Sequence, residues 1–244
     1  MEEGGREEEG SPLTCASYQK ERPACPLPRD RPIIPPMLSG VSDLQPGLQP
    51  RLRTRAWAVP YLNARPLTAF LAGDPRNGID LHQAEPSLLG REMAAGRVDL
   101  ALLPAFAVLS NAGLKAADGI SIGSDGPVRS VLLYARRPLG KIRTLASDPA
   151  SLSSNALARV LLAERHGVRP TPARADEADA VVIIGDAAFK PLPGPWQEVV
   201  DLGEAWRALI GLPFVYALWA GPTLDARTAG ILREAARLGL EDRP

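Results

Sequence analysis

Side chains suited to acid–base chemistry at neutral pH are scarce in this chain. Its 244 residues include two histidines, His82 and His166, and two cysteines, Cys15 and Cys25. Both cysteines lie near the N-terminus with no later partner, so neither a disulfide framework nor a cysteine-rich metal site is expected. The low histidine count also removes most histidine-based catalytic machinery. We therefore expect a site that uses no metal and no cofactor.

An excess of one charge sign and long apolar runs are also missing. Lysine plus arginine equals aspartate plus glutamate at 28 each, which makes the chain a poor candidate for nucleic acids or anionic membrane surfaces. No apolar run approaches the roughly 20 residues needed to span a membrane. The acidic N-terminus has no apolar core of a secretory signal. We predict a cytoplasmic protein without nucleic-acid or membrane partners, while its oligomeric state is left open.

The first 54 residues differ from the rest of the sequence. They hold nine of the 25 prolines and show no sustained periodicity, so they cannot bury enough apolar surface to offset the entropy of ordering them. We predict that residues 1–54 form a disordered tail, or that they reflect a mis-assigned start of the chain.

Strand-type and helix-type segments alternate from Arg55 onward. This alternation predicts an α/β fold with mixed, mostly parallel sheets. Serines at 151, 153 and 154 predict the start of a helix that runs to about His166 and ends at Gly167. Apolar runs predict strands at 56–60, 79–83, 99–103, 120–123, 131–135, 144–146, 180–184, 199–202 and 214–220.

Polar loops follow several of these strands, at 61–65, 124–130, 148–155 and 185–186. Ligands of such sheets bind at the carboxyl ends of strands. The loops are rich in hydroxyls, amides and backbone N–H groups but poor in strong bases. From the residues alone we predict a site that holds a small carboxylate between two lobes by hydrogen bonds and a helix N-terminus.

Six blocks in the region 56–220 carry a family resemblance. In chain order they are VPYLNARPL, DLALLPAF, SIGSDGPVRSVLLYA, SLSSNALARVLLAERHGVRP, VVIIGDAAF and VVDLGEAWRALIGLPFVYALWA. Together they resemble the MqnA family, the chorismate dehydratases of the futalosine route to menaquinone. The resemblance implies the two-lobed type II periplasmic-binding-protein fold with a ligand cleft between the lobes. It implies lobes at 55–133 with 214–244, and at 134–213.

The resemblance also implies a reaction, in which chorismate is converted to 3-[(1-carboxyvinyl)oxy]benzoate and water. Because no histidine or lysine base is evident, one solution is that the substrate's own carboxylate takes the proton. Asn63 is then the first candidate for catalysis, since its amide can both donate to and accept from the departing hydroxyl. The structural alternative is an asparagine that stabilises the turn before Pro66.

The other candidates bind substrate. Gly126 allows a close approach of backbone N–H groups, and Ser130 can donate a hydrogen bond, although both also fit a β-turn. Arg129 can pair with a carboxylate or stay solvated, and Asp186 can face the cleft or cap a helix. The full set of predicted substrate-binding residues is Tyr61, Gly126, Val128, Ser130, Ser151, Ser153, Ser154, Asn155 and Asp186.

The sequence departs from the family in two places. The usual Ser-Arg-Thr-Ser pattern is Ser151-Leu152-Ser153-Ser154 here, which keeps hydroxyls but loses a guanidinium. The chain also ends at Pro244, soon after the last predicted helix, so we expect C-terminal helices of the first lobe to be absent and stability or activity to be lower. Two other functions stay open: the sister enzyme that forms dihydroxynaphthoate, which would need a histidine base, and a non-catalytic module that binds a small carboxylate.

Overall fold

The computed structural model describes residues 53–72 and 75–242. Two five-stranded sheets organise this part of the chain, each with its own helices and apolar core. The predicted tail therefore lies outside the described residues, apart from Arg53 and Thr54. Thr54, which the sequence assigned to the tail, belongs to the first strand.

The first lobe is the first sheet with four helices. Its strand order is β2-β1-β3-β10-β4, and these strands are β1 (Thr54–Ala58), β2 (Ile79–Gln83), β3 (Leu100–Pro104), β4 (Lys115–Ser124) and β10 (Phe214–Gly221). Its helices are α1 (Arg65–Ala72), α2 (Pro86–Ala94), α3 (Ala105–Leu109) and α6 (Ala226–Glu241). Trp219 is fully buried in the centre of this lobe, together with Leu71, Leu100 and Leu232.

The second lobe is the second sheet with two helices. Its strand order is β7-β6-β8-β5-β9, and these strands are β5 (Val131–Ala135), β6 (Thr144–Ala146), β7 (Thr171–Pro172), β8 (Ala180–Ile184) and β9 (Glu198–Asp201). Its helices are α4 (Leu152–His166) and α5 (Leu202–Ile210). The predicted α4 is confirmed: Ser151 caps its N-terminus, and Gly167 ends it with φ of 67°.

One strand in each sheet runs against the other four. β10 is antiparallel to both β3 and β4, and β5 is antiparallel to both β8 and β9. The chain enters each of these strands from the other lobe, at the edge where the other strands have their carboxyl ends, so each must run backwards. The sheets are therefore mixed, as predicted, and the fold class is confirmed.

The two crossings between lobes are short. The first is the segment 125–130, between β4 and β5, and the second is 211–213, between α5 and β10. A division at residue 133 would cut β5, which lies wholly in the second sheet. The predicted strand 120–123 is also too short, because β4 runs over ten residues, many of them exposed, and pairs with β10 near both of its ends. Within the described ranges, no helix is long and apolar enough to cross a membrane.

Candidate active site at the carboxyl ends of the two sheets

The carboxyl ends of the strands in both sheets come together at the crossings. β4 ends at Ser124, whose hydroxyl lies 3.3 Å from that of Tyr216 on β10. β9 ends at Asp201, directly before α5. The start of α4 also meets the start of α3, because the backbone N–H of Phe106 donates to the Ser153 hydroxyl at 3.2 Å. The polar loops predicted from the sequence thus lie along this shared edge.

Asn63 lies in a short 3-10 turn, Leu62–Ala64, between β1 and α1. The turn follows the extended Tyr61 and is closed by a hydrogen bond from Ala64 N–H to the Tyr61 carbonyl. Asn63 is exposed, and within the described ranges its amide makes no hydrogen bond. The turn therefore holds without that side chain, which leaves the amide available to a ligand.

The first crossing carries Gly126, Val128 and Ser130. Gly126 is buried with φ of 107°, a conformation that favours glycine. The backbone N–H of Val128 donates to the Asp201 carboxylate at 3.0 Å, so this group is already used within the protein. The Ser130 hydroxyl makes one long bond of 3.4 Å to the Val128 carbonyl and has capacity for a further partner.

The segment 151–155 divides into capping and linking roles. The Ser151 oxygen accepts from the Ser154 N–H, and its hydroxyl donates to the Ser154 hydroxyl at 2.8 Å. Ser153 and Ser154 are each only 2% exposed. The Asn155 amide is engaged on both sides with the backbone of Asp148. Ser153 joins the two lobes, and the other three side chains build the helix start rather than present free groups.

Gly185 and Asp186 follow β8. The backbone N–H of Gly185 donates to the Ser130 carbonyl at 2.8 Å, which brings the predicted residues 130 and 185 side by side. Asp186 is exposed in the 3-10 turn Gly185–Phe189. Tyr61 and Asn63 follow β1, so they lie at the edge of the first sheet where its parallel strands have their carboxyl ends.

Three residues at this edge were not among the predicted site residues. Asp148 follows β6, and burial raises the pKa of its carboxyl, against the effect of backbone hydrogen bonds from Ala150 and Ile184. Burial also raises the pKa of the Tyr216 hydroxyl. Asp201 accepts backbone hydrogen bonds from Arg129 in the first crossing and from Gly203 at the start of α5. Of these three residues, only Asp148 lies in a polar loop that the sequence predicted, the segment 148–155. Tyr216 lies inside an apolar strand and Asp201 at a strand end, so neither was distinguished by its local sequence.

Two cavities lie away from this edge. One, of about 230 Å³, lies between α4, α5 and the second sheet and is lined mainly by leucines, with Arg165 and His166. The other, of about 450 Å³, includes Arg55 and Asp99 at the opposite end of β1 and β3. The first is mostly apolar, and Arg55 and Asp99 in the second already pair with each other at 2.6 Å. The strand-end loops are therefore the better candidate for a polar ligand.

The remaining titratable candidates lie elsewhere. His82, on β2, is 3.2 Å from the Asp80 carboxylate and packs near Trp57. His166 is exposed in the last turn of α4. Among the residues that the structure describes, no group of three or more histidine, cysteine, aspartate or glutamate side chains could hold a metal ion.

Comparison with known proteins gives the family. A family model described as menaquinone biosynthesis matches residues 57–241. A chorismate dehydratase of Thermus thermophilus is 31% identical over 208 residues, which cover 74% of this chain and 75% of that protein. A chorismate dehydratase of Campylobacter jejuni is 28% identical over 65% of this chain and 63% of its own length.

A solved structure supports the fold alone. Protein AF1704 from Archaeoglobus fulgidus superposes with a TM-score of 0.56 at 16% identity, covering 79% of this chain and 78% of that one. The family model, by contrast, spans both lobes, from β1 to α6, and contains every predicted site residue. This chain therefore belongs to the menaquinone-biosynthesis family.

Proposed function

We propose that this protein is a chorismate dehydratase, a hydro-lyase that converts chorismate to 3-[(1-carboxyvinyl)oxy]benzoate and water. The observation that carries the proposal is the family match over residues 57–241, together with two relatives that bear this name. The strand-end edge supports it, since that edge offers hydroxyls, an amide and backbone groups suited to a carboxylate ligand. A cytoplasmic location stays a prediction from the sequence.

The reaction removes a proton from the ether-bearing carbon and a hydroxyl from its neighbour. Because the product ring is aromatic, the protein mainly has to orient the substrate, which by itself can lower a barrier by several kcal/mol. We assign this orientation to the exposed amide of Asn63 on the first lobe and to the Ser130 hydroxyl at the first crossing. The substrate's own carboxylate would take the proton.

Asp148 is the nearest alternative to a substrate base, because its pKa is raised by burial. However, one of its oxygens accepts from the Ala150 N–H at 2.9 Å, and its carboxylate also bonds the backbone of Ile184. These bonds join the start of α4 to the end of β8. We therefore assign Asp148 a supporting role. A pH–rate profile that shows an essential enzyme group titrating near neutral pH would contradict the substrate-base assignment.

The test is direct. Purified protein is incubated with chorismate, and the products are analysed by mass spectrometry for the loss of one water. Formation of the dehydrated enol ether at a rate proportional to enzyme concentration supports the proposal. Tight binding of chorismate without turnover would favour a non-catalytic binding module instead. The dihydroxynaphthoate-forming sister reaction is disfavoured, because His82 is paired with Asp80 and His166 lies at the far end of α4 from Ser151.

A further inference from the structure

We infer that Asp201 is a positioning residue of this site, which fixes the turn 128–130 and thereby the place of Ser130. The inference rests on the proposed function, because it assigns Ser130 to substrate. Asp201 is the last residue of β9 and the N-cap of α5, so it lies in the second lobe immediately beside the first crossing.

The Asp201 carboxylate ties two separate segments together. Its Oδ2 accepts from the backbone N–H of Val128 at 3.0 Å and of Arg129 at 2.7 Å. Its Oδ1 accepts from the N–H of Gly203 at 2.9 Å and of Glu204 at 3.1 Å, which caps α5. Oδ1 also accepts from the Val128 N–H at 3.1 Å, so Oδ1 serves both the helix and the crossing, while Oδ2 holds the crossing alone.

The crossing needs such an anchor. Arg129 has φ of 61° and is, within the described ranges, the only residue other than glycine with a positive φ. A side chain disfavours this left-handed conformation, which therefore persists only where surrounding contacts fix it. The short bond to Asp201 is that contact. The next residue, Ser130, is bonded through its carbonyl to Gly185, so the conformation at 129 decides how the chain enters β5.

Packing around α5 leaves this arrangement little freedom. A Cβ at Gly203 would lie 2.5 Å from the Gly126 carbonyl oxygen and 2.7 Å from the Ser124 hydroxyl. The start of α5 therefore lies directly against the first crossing. If the Asp201 bonds are lost, α5 cannot move towards the turn to compensate, because the two are already in close contact. We therefore expect the backbone of residues 128–130 to move instead.

Asp225 provides a matched control. It caps α6 by accepting from the Thr228 N–H at 2.7 Å. Asparagine caps helices about as well as aspartate, so Asp225→Asn should leave turnover within twofold of wild type. Asp201→Asn keeps one oxygen for the cap but turns the second oxygen into an N–H donor, which faces the N–H groups of Val128 and Arg129.

The experiment measures kcat/KM for chorismate in four variants. We expect Asp201→Asn to lower kcat/KM at least tenfold, and Asp225→Asn to change it less than twofold. Because Asp201 acts through Ser130, the double variant Asp201→Asn/Ser130→Ala should be no less active than Ser130→Ala alone. The inference would be overturned if the double variant lost kcat/KM by the product of the two single-variant factors. Near-normal turnover by Asp201→Asn would overturn it as well.

A second set of measurements tests the inference even if a variant folds poorly or the protein does not turn over chorismate. Glycine adopts a positive φ without strain, so in an Arg129→Gly background the loss caused by Asp201→Asn should shrink to less than threefold. A loss of unchanged size would contradict the inference. The amide resonances of Arg129 and Ser130 should shift in Asp201→Asn and not in Asp225→Asn, whatever the activity. Absence of turnover by the wild type speaks against the proposed function, whereas unshifted resonances speak against Asp201.

Discussion

The hydroxyl oxygen of Ser153 on α4 accepts a hydrogen bond from the backbone N–H of Phe106, at the start of α3. This bond joins the second lobe to the first beside the candidate site. Ser153 itself is buried, with 2% of it exposed, so this bond lies at the packed junction of α4 and α3. The side chain predicted to bind substrate is thus also a link between the lobes.

Loss of this link gives the first prediction. Ser153→Ala should lower the free energy of unfolding by about 1 kcal/mol, the usual net contribution of a hydrogen bond. The control is Ser110→Ala, because Ser110 also bonds Phe106, through its carbonyl, but on an exposed surface within one lobe. Urea unfolding checks both variants. Equal losses of unfolding free energy in the two variants would show that the bond between the lobes stabilises the fold no more than an exposed bond within one lobe.

Asn63 gives the second prediction. Asn63→Ala should reduce kcat for chorismate at least tenfold, because it removes the exposed amide assigned to orient the substrate, with a change in unfolding free energy below about 0.5 kcal/mol. Asn77→Ala is the contrasting control. Its amide bonds the Leu71 carbonyl and the Ile79 N–H, so its loss should reduce stability and spare kcat. Steady-state kinetics and urea unfolding separate the two effects, and normal turnover by Asn63→Ala would remove it from the site.

Leu152 gives the third prediction. It stands where the resembling family usually has arginine, and 53% of it is exposed, so a longer side chain fits without displacing core residues. Leu152→Arg should lower KM for the dianionic substrate several-fold, since an exposed guanidinium pairs with a carboxylate. The effect should weaken with added salt. A Leu152→Gln variant controls for polarity without charge, and an unchanged KM in Leu152→Arg would place the residue away from bound substrate.

Asp179 gives a prediction about pH. A backbone hydrogen bond from Arg143 is the main cause that holds the pKa of its carboxyl below the ordinary 3.8, and the Arg137 guanidinium at 2.6 Å acts the same way. A folded pKa below the unfolded one stabilises the protein above the ordinary pKa, and this contribution is lost as pH falls through the folded pKa. Asp179→Asn should therefore cost about 1 kcal/mol at pH 7, allowing for solvent screening, and much less near pH 2. Urea unfolding at both pH values checks this, and a difference that stays constant with pH would contradict it.

Much of the local structure follows from the sequence. Ser151 and Gly167 bound α4 because a hydroxyl caps the N-terminus and glycine takes the positive φ at the C-terminus. The buried strand β8 was evident as a short apolar run ended by Gly185. The edge strand β4 was underestimated, because exposed polar residues at an edge leave no apolar alternation to detect.

The candidate site was only partly predictable. The loops that contain Asn63, Ser130 and Ser153 could be found, because polar residues follow strands in a recognisable order. Their partners could not be found. Asp201 lies some 70 residues after the turn that it holds, and the bond between Ser153 and Phe106 spans 47 positions. Such pairings depend on which strand ends the fold brings together.

The sequence by itself therefore determined the α/β class, the family resemblance, the helix caps and the set of polar loops, because each depends on neighbouring residues. Tertiary structure alone decided that β5 and β10 run backwards, and that Val128 and Asn155 are already engaged within the protein while the Asn63 amide is free in the described part of the chain. The physical reason is that a hydrogen-bonding group is available to a ligand only if no distant part of the chain satisfies it first.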